Sequence, residues 1–147
     1  MSENKHDYGP TVRLAIISLA LCGLLFPLVV TGFGQLLLPF QANGEIIHFH
    51  GRDVGSSLIA QNFTSPMFFH PRNDSASGVD PDITLQDAYS QISRIHSTTG
   101  IPSDELKHTV DENVERTLWA VGEPYVNVLR LNLVLIDEYP SIYGSYR

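Results

Sequence analysis

The chain has 147 residues, one cysteine and a net charge of −7, so it has the length of one domain and no internal disulfide partner for that cysteine. This acidity excludes docking on nucleic acid or anionic lipid as a main function, because both repel carboxylates. The excess of acidic over basic residues lies after residue 41. This negative charge serves either solubility or, less simply, the gathering of cations.

The longest uncharged stretch runs from Leu14 to Leu38, a total of 25 residues. At about 1.5 Å per residue a helix of this length spans roughly 37 Å, more than the roughly 30 Å core of a bilayer. The stretch is too long for the apolar region of a cleaved signal peptide. We therefore predict a short tail at residues 1–13 and a retained transmembrane helix at residues 14–38.

The basic residues near this span predict its orientation. Lys5 and Arg13 precede the span, whereas Arg52 is the one basic residue in the first fifteen that follow it. The positive-inside bias thus places the N-terminus in the cytoplasm and the C-terminal domain outside it.

The span contains residues that a lone lipid-facing helix does not need. Small residues allow a neighbouring helix to approach closely, and Thr or Gln can hydrogen-bond across such a contact. A partner inside the membrane is one interpretation, and tolerated sequence drift is the other. The residues concerned are Gly23, Pro27, Thr31, Gly32, Gly34 and Gln35, with Pro39, Asn43 and Gly44 forming a turn at residues 39–44 where the chain leaves the membrane.

After this exit the pattern changes to that of a small mixed domain at residues 45–139. Glu45 to His50 reads as a short strand, residues 51–64 are mixed and could close with a helical turn, and residues 65–82 form an irregular connection. Thr84 is a good N-cap for a helix that Gly100 ends, and a second helix begins near Ser103.

Residues 125–137 alternate apolar and polar side chains and predict a strand with one buried face. The aromatic, turn-rich tail at residues 140–147 is expected to be loosely held. The predicted fold class is therefore an α+β exported domain, with a small β-sheet and about two helices, anchored by one N-terminal transmembrane helix.

His48 and His50 have the i, i+2 spacing that places two imidazoles on one strand face, and His70 is a candidate third ligand. A membrane-tethered metal-binding or sensory domain is thus one hypothesis, and a solvated strand face is the simpler interpretation. The acidic residues lack the spacing of a calcium loop, so we predict no bound metal. No Gly-x-Ser-x-Gly or phosphate-binding loop occurs, so we predict no catalytic residue.

Four stretches carry a resemblance to a known family. They are FPLVVTGFGQLLLPFQANG (26–44), GSSLIAQNF (55–63), SGVDPDITLQDAYSQISRI (77–95) and GEPYVNVLRLNLVLID (122–137), with FFHPR (68–72) as a weaker match. Together they resemble the C subunit (KdpC) of the Kdp potassium-transporting P-type ATPase. Here Arg72 and Ser77 are only five residues apart, where the family has some tens of residues, so the chain resembles a shortened variant that lacks a central segment.

The resemblance implies a non-catalytic accessory subunit in the cell membrane. Its partners would be a channel-like potassium subunit and a P-type ATPase subunit, which would handle potassium and ATP with magnesium, so that no cofactor binds this chain directly. The family is also described as assisting nucleotide binding. An exported domain cannot reach cytoplasmic ATP, so such an effect would be indirect.

The resemblance also identifies motif residues, which we expect to be structural or interfacial. Gln91 and Arg94, three apart on one helix, would jointly hold a partner surface or a neighbouring strand, and an internal salt bridge of Arg94 is the alternative. The full set is Gly55, Ser56, Gln61, Phe63, Arg72, Gly78, Asp80, Gln91, Arg94, Gly122, Pro124 and Asn127.

Overall fold

A computed structural model describes residues 8–72, 79–116 and 122–146. The chain divides into two compact units, the first ending at Asn43 and the second beginning at Gly44.

The described part of the first unit, residues 8–43, is almost entirely helical. It consists of α1 (Gly9–Ala20), a π-helical turn (Leu21–Leu25), α2 (Phe26–Leu37) and the short α3 (Pro39–Ala42). The stretch Gly9–Leu37 is one continuous helix, long and apolar enough to cross a membrane. None of the residues in its most apolar part is buried.

The π-helical turn has a local cause. The backbone N–H of Phe26 donates to the carbonyl of Leu21, five residues earlier, and Pro27 follows with no N–H to donate. The helix therefore widens where its regular hydrogen-bond ladder would be interrupted.

Over its described residues, the second unit is an α+β domain with two small antiparallel sheets. In the first sheet, β1 (Ile46–Phe49) pairs with β2 (Arg52–Ser56), and in the second, β3 (Asp82–Thr84) pairs with β4 (Tyr125–Asn127). The helices are α4 (Leu85–Thr99), α5 (Ser103–Glu112), α6 (Val128–Glu138) and α7 (Pro140–Tyr143), followed by a 3-10 turn at Gly144–Tyr146. The predicted fold class, a small α+β domain with a single apolar helix as anchor, is confirmed.

Two of these helices have the predicted limits for the predicted reasons. The Thr84 hydroxyl accepts a hydrogen bond from the backbone N–H of Asp87, and Gly100 ends α4 in the left-handed conformation at φ 77°. The buried faces of α4 and α5 meet the inner face of α6 in one core. Its members include Ala88, Ile92, Ile95, Leu106, Val110, Leu131 and Leu135.

The prediction of a strand over residues 125–137 is wrong beyond Asn127, because α6 begins at Val128. Leucines at every second position imitate a strand, but Val128 and Asn132, which lie between or beside them, are buried as well. The burial recurs at helical spacing along one side of α6. Its buried residues are Val128, Leu129, Leu131, Asn132, Leu135 and Ile136.

Two further expectations need correction. Residues 52–56, read as mixed sequence, form β2 because they pair along β1. The tail is not loose over its described part, since Tyr143 is fully buried and its ring lies 5.1 Å from that of Phe68. Burial of one aromatic side chain holds the tail against the core.

Asn127 provides a test of the strand-to-helix boundary. Its side-chain oxygen accepts from the N–H of Arg130, and its Nδ2 donates to the carbonyl of Ser57 (2.8 Å) and to Asp82 (2.9 Å). Asn127→Ala removes the cap and both donors, so we expect a loss of about 2–4 kcal/mol of unfolding free energy. Asn127→Ser keeps a capping oxygen and should recover about 1 kcal/mol.

The measurement is thermal or denaturant unfolding of the full chain in detergent, followed by helical circular dichroism. Equal stability of the Ala and Ser variants would contradict a capping role for Asn127.

Candidate functional site

Side chains from three helices hold Pro66–His70, which we call the clamped segment. It forms neither helix nor strand, yet Phe68 and Phe69 are buried. Each of its five carbonyl oxygens accepts a hydrogen bond from a side chain elsewhere in the domain. A buried backbone group without a partner is costly, so these side chains make the irregular path possible.

Helix α4 supplies two of the clamping side chains. Arg94 donates to the carbonyls of Pro66 and Phe68 and also to Gln91 Oε1, at 2.7 Å. Gln91 accepts from the N–H of His70 (2.8 Å) and donates to its carbonyl (3.1 Å). Gln91 therefore replaces the hydrogen bonds that a neighbouring strand would make.

Helices α6 and α7 supply the remaining two. Asn132, which is fully buried, accepts from the N–H of Phe69 (2.8 Å) and donates to its carbonyl (2.9 Å). The hydroxyl of Tyr143 donates to the carbonyl of Met67 at 2.8 Å. Consecutive residues Phe69 and His70 are thus each held by one side-chain amide, from opposite helices.

The electrostatics of the clamp follow from its burial. Burial lowers the pKa of Arg94, whose described partners are carbonyl and amide oxygens instead of a carboxylate. Burial also raises the pKa of Tyr143 to about 12. Gln91 and Arg94 do act jointly, but on an irregular segment of their own chain.

A second group of motif residues surrounds the turn after β2. Gly55 has φ 151°, and a Cβ there would lie 3.0 Å from the Gln61 side chain and 3.3 Å from Leu129 Cδ2. Ser56 Oγ donates to the carbonyl of Gly44 at 2.6 Å. The ring of Phe63 lies 5.4 Å from that of Phe68, so this group adjoins the clamped segment.

The remaining motif residues lie at the sheet of β3 and β4. Asp80 accepts from the N–H of Asp82 at 3.0 Å. Burial raises the pKa of Asp82, and the neighbouring carboxylates of Asp80 and Glu115 raise it further. The hydrogen bond from Asn127 offsets part of this rise. Gly122 has φ 114°, and Arg72 and Pro124 line one polar cleft of about 330 Å³. Gly78 lies outside the described residues.

At the membrane exit, Leu38 leaves the helical conformation before Pro39, as residues before proline tend to do. Gln35 and Asn43 then exchange two side-chain hydrogen bonds of 3.3 and 3.2 Å across this break. Asn43 also donates to the carbonyl of Pro39, and Gly44 follows with φ 79°. Gln35, expected to bond across a helix pair, is therefore used to shape the exit.

The other candidate residues of the span share the exposure that the described helix has along almost its whole length. Gly23, Pro27, Thr31 and Gly32 are exposed, and Gly34 is partly exposed. A Cβ at Gly32 would meet nothing within 4 Å, and one at Gly34 would meet only the Ala42 side chain, at 3.9 Å.

The structure does not bring the three candidate histidines together. The imidazole of His48 contacts Asp53, that of His50 lies 3.6 Å from Asp137, and that of His70 contacts the carbonyl of Ser65. His50 follows β1 in a turn with φ 48°, so it does not share a strand face with His48. Within the described ranges no three His, Cys, Asp or Glu side chains are grouped to hold a metal ion.

Sequence reasoning missed two members of the clamp, Asn132 and Tyr143. The signal for Asn132 was a single amide within a run of leucines, which marks a buried polar group needing a specific partner. The signal for Tyr143 was a large aromatic in a short tail. Neither signal identifies Phe69 or Met67 as the partner.

The chain matches a protein-family model in two pieces. The model, KdpC, is described as "K+-transporting ATPase, c chain", and it matches residues 8–75 and 73–137. The two pieces meet at residues 73–75, within the short interval between Arg72 and Ser77. This is the place where the sequence predicted a missing central segment.

Curated relatives with similar sequences carry the name potassium-transporting ATPase KdpC subunit. One from Caldanaerobacter subterraneus is 33% identical over 180 residues, covering 87% of this chain and 93% of the relative. "KdpC subunit 2" of Staphylococcus aureus is 31% identical, covering 85% and 95%. One from Bacillus cytotoxicus is 30% identical, covering 90% and 96%. These alignments are longer than the chain itself, so the relatives contain residues without a counterpart here.

Asn132 gives the sharpest test of the clamp. Asn132→Leu keeps the branched shape and the number of heavy atoms but leaves the N–H and carbonyl of Phe69 without partners, so we expect a loss of about 2–5 kcal/mol of unfolding free energy. The control is Asn113→Leu, which removes one bond, to the carbonyl of Thr109, at the partly exposed end of α5. Denaturant unfolding of the full chain in detergent measures both, and equal losses would contradict the clamp.

The raised pKa of Tyr143 predicts how the free energy of unfolding depends on pH. Tyrosine in the unfolded chain ionises near pH 10, whereas burial raises the folded pKa to about 12. The neutral ring's contribution is complete below pH 10 and is lost between pH 10 and 12, at about 1.4 kcal/mol per pH unit. Burial likewise raises the pKa of Tyr139 to about 12, so Tyr143→Phe should remove only part of the slope. An unchanged slope in this variant would contradict the prediction.

Proposed function

Because this chain belongs to the KdpC family, we propose that it is the non-catalytic accessory subunit of an ATP-driven, high-affinity potassium import complex. In this role it supports assembly of the complex and stabilises a channel-like subunit. The observation that carries the proposal is the family match on both sides of residues 73–75, from the membrane helix to the end of α6.

The use of the motif side chains supports a non-catalytic role. Gln91, Arg94 and Asn127 are engaged in hydrogen bonds that hold the domain's own backbone. Moving any of them toward a substrate would leave buried carbonyls without donors. Their positions therefore serve the shape of the domain.

We place the N-terminus in the cytoplasm and the domain outside, on the charge bias across the span. A channel-like subunit and a P-type ATPase subunit are the proposed partners, and these bind potassium and ATP with magnesium. Any effect of this chain on nucleotide binding is then indirect, because the domain and the nucleotide lie on opposite sides of the membrane.

The proposed contact inside the membrane uses the outward-facing small residues of the span. A Cβ at Gly32 would meet open space, and one at Gly34 would contact only Ala42, at 3.9 Å, which permits close approach of another helix. The break at Leu38 and the pair formed by Gln35 and Asn43 then set the direction in which the chain leaves that contact.

The direct test is co-purification in mild detergent after expression with the reading frames that neighbour its gene. We expect a stable complex that contains a P-type ATPase and a channel-like protein. Recovery of the chain alone, as a folded monomer, would overturn the proposed function.

The span contact predicts the effect of larger side chains. Gly32→Leu and Gly34→Leu should lower recovery of the complex by roughly fivefold or more, the effect of losing about 1 kcal/mol of binding. Ala15→Leu, which adds three carbons elsewhere on the helix instead of four, is the control and should leave recovery unchanged. The domain's unfolding temperature should stay the same in all three, and normal recovery of both glycine variants would exclude this contact.

A further inference from the structure

Pro27 leaves one backbone carbonyl of the membrane span without a hydrogen-bond donor. Along a helix a carbonyl accepts from an N–H three, four or five residues later, which for Cys22 means residues 25–27. The N–H of Phe26 donates to the carbonyl of Leu21, and Pro27 has no N–H. Leu25 belongs to the same π-helical turn, so its N–H also donates to the carbonyl five residues earlier. Within the described helix, the carbonyl of Cys22 therefore has no backbone donor.

This carbonyl lies deep in the apolar span. The uncharged stretch at residues 14–38 has its midpoint at Phe26, four residues from Cys22, which is roughly 6 Å along a helix axis. The hydrocarbon core of a bilayer extends roughly 15 Å to either side of its centre. Cys22 is exposed on the helix, and Gly23 beside it has no side chain. Its carbonyl oxygen therefore meets hydrocarbon unless a polar group of another molecule approaches.

The polar side chains of the span do not reach this oxygen. Ser18 and the thiol of Cys22 itself lie on its N-terminal side, because helical side chains tilt that way while carbonyls point toward the C-terminal end. Thr31 lies nine residues later, roughly 14 Å along the axis. Gln35 is farther still and exchanges hydrogen bonds with Asn43. The carbonyl of Cys22 therefore has no side-chain donor within residues 14–38.

Backbone groups that a membrane proline frees are satisfied by a local π-helical adjustment, a nearby hydroxyl, ordered water or a neighbouring helix. The π-helical turn is present here and leaves Cys22 unpaired, and the hydroxyls of the described span are out of reach. Water is not available in the hydrocarbon core, where an unpaired carbonyl is costly. A neighbouring helix remains as the source of the donor.

We propose that the carbonyl of Cys22 accepts a hydrogen bond from a hydroxyl or amide side chain of a neighbouring transmembrane helix in the same complex. This inference rests on the proposed function and names the chemistry that the partner presents at this depth of the membrane. Gly23 permits the contact, because a donor can come close to the backbone where no side chain intervenes. Pro27 is a positioning residue, since it creates the acceptor without itself bonding the partner.

A carbon-13 label tests this hydrogen bond directly. The chain has a single cysteine, so cysteine that carries 13C at its carboxyl carbon labels this one carbonyl in the full chain. The measurement is the 13C NMR chemical shift of the label, in the chain alone in detergent and in the complex assembled with unlabelled subunits. A hydrogen bond moves a carbonyl resonance downfield, so we expect a downfield shift on assembly. The same chemical shift in both samples would overturn the proposal.

Pro27→Ala supplies the N–H that the proline lacks. The carbonyl of Cys22 can then be satisfied within the helix, so its resonance should lie downfield in both samples. Recovery of the complex should fall roughly threefold, the effect of one hydrogen bond between membrane helices. Pro10→Ala is the control, because Pro10 lies in the first turn of α1, where an N–H has no partner within the helix. This variant should behave as the wild type.

The outcomes for the complex and for the carbonyl are separable. If the wild-type chain recovers no pump subunits, the proposed function is wrong. If it recovers them and the Cys22 resonance does not move on assembly, only the hydrogen bond is wrong. If the resonance of Pro27→Ala still moves on assembly as in the wild type, the missing N–H of Pro27 is not the cause, which also overturns the proposal.

Discussion

The domain depends on satisfying the backbone of the clamped segment inside a closed core. Pro66–His70 carries two buried phenylalanines and no regular secondary structure, so its polar groups need partners that no strand or helix of its own provides. Arg94, Gln91, Asn132 and Tyr143 meet this need from three different helices. Each bond therefore also fixes the spacing between α4, α6 and α7. Packing of apolar faces alone would leave that spacing adjustable.

This arrangement explains how the domain tolerates the loss of a central segment. The family match breaks at residues 73–75, directly after the clamped segment. Before the break, His70 is held by Gln91, and after it Val79 is held by Ala60 and Asp82 by Asn127. The residues on both sides of the break are thus held to the same core by hydrogen bonds that involve none of residues 73–75. A shortened connection therefore leaves the buried part of the fold complete.

The same chemistry accounts for the character of the proposed function. Amide, guanidinium and hydroxyl groups that other proteins use on substrates are engaged here with the domain's own carbonyls. Under the proposed function, the contact with a partner instead uses the small residues of the span. The short turn from Leu38 to Gly44, stabilised by hydrogen bonds between Gln35 and Asn43, follows this span.

Sequence by itself determined the features that depend on neighbouring residues. The apolar span, β1, the capped start of α4 at Thr84 and its stop at Gly100 all follow from composition or local hydrogen bonding. Tertiary structure decided the rest, because it depends on residues far apart in the chain. Leucines at alternate positions of 125–137 fit a strand or a helix, and burial of Val128 and Asn132 together with Leu131 and Leu135 selects α6. Asn132 and Phe69 are 63 residues apart, and Tyr143 and Met67 are 76 apart, so no local pattern could pair them.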